Sequence, residues 1–101
     1  MYYKLFIGLN DQHTKKQETA TENAVSIVSR YAVERFGGVT ISTARGVYTH
    51  ENGDTIEENT IIVEVFGVPR TLVEAFADDM KRIFNQESIG LAEFQTLLEF
   101  I

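Results

Sequence analysis

The chain has 101 residues, 44% hydrophobic and 24% charged, which suits one domain (1–101) with a core of its own and argues against a disordered chain. The absence of cysteine excludes disulfides, thiolate catalysis and cysteine-ligated zinc. Fifteen Asp and Glu against nine Lys and Arg give a formal net charge of −6, which disfavours phosphate-bearing partners, so neither nucleic acid nor a membrane is expected.

Residues 2–9 alternate as a strand does. Tyr3, Leu5, Ile7 and Leu9 point one way, and Tyr2, Lys4, Phe6 and Gly8 the other. The first set should face helices. Tyr2 and Phe6 make the second set half apolar, which places the strand centrally in its sheet. The segment has no basic n-region and is too short to cross a bilayer, so the protein is read as cytoplasmic. Residues 10–17 contain no apolar side chain and should form an exposed, mobile connection. Thr19 and Glu22 have the spacing of a capping box. A helix then runs to about Phe36, with Ala24, Val25, Ile27, Val28, Tyr31, Ala32 and Phe36 on its apolar face. Gly37 and Gly38 stop it.

Residues 39–49 read as a second strand, in which Gly46 suggests a bulge or bend. Glu51-Asn52-Gly53-Asp54 is a hairpin turn signal. Residues 55–66 return, with Ile61, Val63 and Val65 toward the helices and Ile62, Glu64 and Phe66 opposite. Pro69 leads into a second capping-box spacing, Thr71 with Glu74. The helix that follows reaches about Asn85 and carries Leu72, Val73, Phe76, Met80, Ile83 and Phe84 at helical spacing. Residues 88–93 are too short for a stable helix and form a fourth strand. Residues 97–101 read as a last extended piece, with a helix over 91–100 as the alternative. The order β-α-β-β-α-β specifies an α+β fold, the ferredoxin-like sandwich: an antiparallel sheet with two helices on one face.

The uncovered sheet face carries Tyr2, Phe6, Ile62 and Phe66. Such a patch rarely stays bare on a soluble monomer. Homo-oligomerisation through the sheet, or cover by the C-terminal segment, would explain it; so would a ligand pocket between protomers. Base stacking, as in RNA-recognition domains of this topology, is opposed by the scarcity of basic residues on these strands. His13 and His50 are the two histidines, without an H-x-H or H-x-x-x-H pair or a calcium-loop pattern, so no metal and no cofactor is expected. Nucleophile-elbow and phosphate-loop motifs are missing too. His50 with Glu58 would make an acid–base pair only if the hairpin register brought them together. Glu51, Asp54, Glu57 and Glu58 make the hairpin an acidic arm, suited to a basic protein partner; the plainer reading is a solvated hairpin protected by its charges from edge pairing.

Several short pieces carry a resemblance. They are Gly38-Val39-Thr40, Gly46-Val47-Tyr48, Gly53, Glu58 with Thr60 two residues on, and Phe84-Asn85-Gln86-Glu87-Ser88-Ile89, which is similar to an F-x-Q-E-[AS]-V pattern. Together they resemble a family of short bacterial proteins of unknown function. The resemblance implies a ferredoxin-like fold and no known activity. Many members carry an export signal, which this sequence lacks. It singles out Thr40, Gly46, Tyr48, Gly53, Glu58, Gln86 and Glu87. Of these, Glu58, Gln86 and Glu87 have no obvious folding task, unless Gln86 and Glu87 cap the helix end.

Two functional readings follow. One is a non-enzymatic acidic interaction module that self-associates through Tyr2, Phe6, Ile62 and Phe66 and meets a protein partner. The other is a small-ligand-binding protein or small enzyme with its site between protomers. Tyr48, Glu57, Glu58, Gln86 and Glu87 are the candidate ligand or partner surface.

Overall fold

The computed structural model describes residues 1–49 and 51–101. His50, and with it the His50–Glu58 pairing considered above, lies outside them. Four strands form, Tyr2–Gly8 (β1), Thr40–Thr49 (β2), Thr55–Phe66 (β3) and Gly90–Phe94 (β4), with helices Thr21–Phe36 (α1) and Arg70–Ile83 (α2). The sheet order is β2-β3-β1-β4, with every neighbouring pair antiparallel. This is the ferredoxin-like arrangement that the sequence specifies.

The alternation in β1 and β3 decides the two faces. Tyr3, Leu5, Ile7, Ile61, Val63 and Val65 are buried under the helices. Against them α1 sets Ala24, Val28 and Ala32, small residues that let it lie close to the sheet, while α2 contributes Val73, Phe76 and Met80. Phe36 and Phe76 meet between the helices with ring centroids 5.1 Å apart. Arg35 joins the same two helices at the surface by hydrogen-bonding Asp79, and this holds the Asp79 carboxyl below its ordinary value. Gly37 closes α1 in a left-handed conformation (φ 78°), its N–H bonded to the Val33 carbonyl.

Four local expectations are corrected. Neither capping box forms. α1 begins at Thr21 with Ala20 at the N-cap position, so Thr19 lies one residue too early to cap it, and no side chain caps this end. At α2 the Pro69 carbonyl receives the first amides, and Glu74 is occupied by Arg70 at 2.8 Å. Gly46 is no bulge, since β2 pairs with β3 without a break from Thr40↔Glu64 to Thr49↔Thr55. Residues 10–17 are held to the end of α2 by hydrogen bonds described below. Finally, residues 95–101 are neither strand nor helix. β4 runs out at Phe94, which pairs with Tyr2, the first residue of β1, so no strand remains for the tail to pair with.

The uncovered face carries the expected aromatic cluster. Phe6 pairs with Ile62 and Tyr2 with Phe66. The Tyr2 ring stacks on Phe66 (4.6 Å) and on Phe94 (5.1 Å), a third ring that the sequence reading did not include.

Candidate functional site

The two central strands differ in length, and this creates the site. β1 ends at Gly8, paired with Thr60, whereas the β2–β3 hairpin continues beyond that pair to Thr49↔Thr55. A cavity of about 440 Å³ opens on the uncovered face where the hairpin leaves the sheet. Its floor is Phe6, Gly8, Thr60 and Gly90, its hairpin wall is Tyr48, Ile56 and Glu58, and its far side is formed by residues 10–12, Lys15 and 86–88.

Two glycines shape it. A Cβ on Gly8 would lie 2.5 Å from Glu58 Oε1, so the carboxylate occupies the space that a side chain on β1 would fill. A Cβ on Gly46 would lie 2.6 Å from the Tyr48 hydroxyl, which folds back along its own strand. Gly46 pairs with Glu58. The Tyr48 hydroxyl therefore sits above the residue directly across from Glu58, and the register gathers phenol and carboxylate on one face.

The far side is tied down by side-chain amides. Asn85 ends α2 in a left-handed conformation (φ 48°), which asparagine tolerates. Gln12 donates to its side-chain oxygen at 3.0 Å, and Asn85 donates to Asp11 at 2.9 Å. Asp11 also accepts the Thr14 and His13 amides. The Thr14 amide, the Asn85 side chain and the His13 amide, in that order, hold the Asp11 carboxyl below the usual carboxylate range. Gln86 donates to the Asn10 carbonyl, and the Asn10 N–H donates to Glu58 Oε2 at 3.1 Å.

The lining carries three carboxylates (Asp11, Glu58, Glu87) and one ammonium (Lys15) beside two aromatic rings, Phe6 and Tyr48. It therefore favours a cation with an aromatic or flat part. Thr60 is 5% exposed, and its hydroxyl has no hydrogen-bond partner among the described residues.

Of the five candidate residues, Tyr48, Glu58, Gln86 and Glu87 line this cavity. Glu57 points to the other side of the hairpin, where it meets Arg45 at 3.6 Å. Gln86 is engaged by the backbone of Asn10 and acts as wall more than as a free amide. The sequence reading missed Gly8, Asn10 and Lys15. Gly8 carried a usable signal: a glycine inside an apolar strand marks a close approach of some other group.

No protein-family model matches the chain, and no curated protein matches it in sequence. Solved structures do. A phage SAM lyase in complex with S-methyl-5'-thioadenosine superposes with a TM-score of 0.69 at 22% identity, over 89% of this chain and 76% of that one. Its apo state gives 0.67 at 24% identity, over 89% and 75%. The divalent ion tolerance protein CutA1 from Ehrlichia chaffeensis gives 0.57 at 16% identity, over 98% and 84%. At these identities the likeness is one of fold: the chain shares the small ferredoxin-like α+β sandwich of the phage lyase and CutA1 structures.

Proposed function

We propose that the cavity binds S-adenosylmethionine and that the protein breaks its carbon–sulfur bond, releasing S-methyl-5'-thioadenosine. The observation that carries this reading is the convergence of Glu58, Tyr48 and Phe6 on one acidic, ring-bearing cavity. The shared fold with a phage SAM lyase supports it. A volume near 440 Å³ falls within the range of small-molecule sites.

The chemistry asks little of the protein. The sulfonium is already a good leaving group. The substrate's own carboxylate attacks the carbon bonded to sulfur, a C–O bond forms as the C–S bond breaks, and the electron pair of that bond neutralises the sulfur. The products are a five-membered lactone and S-methyl-5'-thioadenosine, with no proton acceptor and no redox partner needed. The protein's contribution is to fold the substrate into that geometry, and orientation alone lowers such a barrier by several kcal/mol. Glu58 supplies the anion that holds the cationic part of the substrate. Phe6 and Tyr48 supply faces for the adenine. The test is incubation of the purified protein with S-adenosylmethionine and chromatography of the products. S-methyl-5'-thioadenosine should accumulate with time and protein concentration; unchanged substrate would sink the proposal.

The exposed aromatic face favours a self-associating form of the same protein. Phe6, Phe66 and Phe94 are 39%, 37% and 45% exposed, and on the hairpin Tyr48 stands out at 51%. A second copy laid on this face would cover the rings and close the open side of the cavity, which makes this a site between protomers. Sedimentation equilibrium should return a mass above the 11.4 kDa of one chain. Phe66→Glu should lower it, and a monomer at high concentration would remove the idea.

A further inference from the structure

Granting the ligand reading of the cavity, we infer that Gly8 and Gln86 are positioning residues for Glu58, Gly8 by leaving room for its carboxylate and Gln86 by fixing Asn10, which donates to it. A glutamate on a two-stranded arm has several rotamers open to it, and one of them is fixed here by two constraints. The first is space. The carboxylate lies where a Gly8 side chain would be, with both oxygens and the carboxyl carbon within 2.6 Å of that position. The second is a hydrogen bond. Glu58 Oε2 accepts the Asn10 N–H at 3.1 Å, and Asn10 is itself fixed by the Gln86 amide on its carbonyl and by its own side chain donating to the Glu57 carbonyl at 3.2 Å. The end of α2 therefore sets the place of a charge on β3 through one residue after β1.

Gly8 has no positive φ that would demand glycine, and the atoms a Cβ would meet are the far end of a flexible side chain. Gly8→Ala is thus compatible with the strand and acts on Glu58, which must swing away.

The experiment reads the Asn10 amide by NMR and turnover of S-adenosylmethionine side by side. In Gly8→Ala the Asn10 amide should lose its acceptor, shift upfield and exchange faster, while the melting temperature holds. kcat/KM should fall about 100-fold, mainly through a raised KM, because the displaced carboxylate no longer holds the cationic substrate. Glu58→Asp shortens the side chain and makes room for the added methyl, so the double variant Gly8→Ala/Glu58→Asp should be less impaired than the product of the two single effects. Gln86→Ala removes the tie on the Asn10 carbonyl and should shift the same amide. An unchanged Asn10 amide in Gly8→Ala would overturn the inference, as would a displaced carboxylate with undiminished kcat/KM. Failure of the wild-type protein to cleave S-adenosylmethionine would remove the substrate assignment, while the amide would still decide whether Gly8 and Gln86 seat the carboxylate.

Discussion

Glu58→Gln is expected to reduce kcat/KM for S-adenosylmethionine by about 100-fold, mainly through a raised KM, because the anion holds the cationic substrate before the sulfonium charge is lost. That corresponds to about 2.7 kcal/mol of transition-state stabilisation. The substitution is chosen for what it keeps. Glutamine has the same shape, fits over Gly8, and retains an oxygen for the Asn10 N–H that Glu58 now receives at 3.1 Å. It removes the negative charge alone. Thermal melting should therefore match the wild type, while kcat/KM from the rate of S-methyl-5'-thioadenosine formation collapses. A variant as active as the wild type would show that the charge at this position is not what the substrate meets. Glu57→Gln, on the other side of the hairpin beside Arg45, is the control and should leave turnover unaltered.

The largest effect on folding should come from Phe76→Ala. Phe76 is fully buried, heads the largest buried side chains, and touches Phe36 across the helix pair. Removing a buried phenyl ring costs about 3–5 kcal/mol, through lost burial and the cavity left behind. Total stabilities of small domains run to about 5–15 kcal/mol, so the variant should be marginal. Its melting temperature should drop by more than about 12 °C, at roughly 4 °C or more for each kcal/mol in a chain of this size. Urea denaturation followed by circular dichroism measures it. Val33→Ala, on the solvent side of α1 at 53% exposure, should change stability by less than about 0.5 kcal/mol. A small loss at Phe76 would mean that the two helices are not packed around it.

The fold was legible because its signals were periodic. Alternation in β1 and β3 named the residues that the helices bury, and the helical spacing of Val73, Phe76 and Met80 did the same for α2. Caps were less legible, because a Thr-x-x-Glu spacing does not reveal that α1 will start at Thr21 behind Ala20, or that Arg70 will occupy Glu74. The site was partly legible. Glu58, Gln86 and Glu87 were singled out as polar residues with no obvious folding task and Tyr48 by the family resemblance, and the four line one cavity. What sequence could not supply was register. Pairing Gly46 with Glu58 puts Tyr48 and Glu58 on one face and sends Glu57 to the other, a distinction invisible in a run of adjacent glutamates. Likewise the polar run 10–17 looked like a free loop, because its partner Asn85 lies more than seventy positions away in sequence.

The overhang of the hairpin has a consequence for how the cavity responds to its contents. The protein is elongated, 46 × 24 × 24 Å, and β2 has no fully buried residue among those described. Tyr48, Ile56 and Glu58 therefore hang on a two-stranded ribbon beyond the packed body, whereas Phe6, Gly8, Thr60 and Gly90 belong to the four-stranded sheet. Ribbon and body are units of unequal local stability, and the weaker one opens first. The cavity lies across their seam. Whatever fills it touches both, so the amides of the β2 and β3 ribbon residues that line it should become better protected from exchange as its occupancy rises.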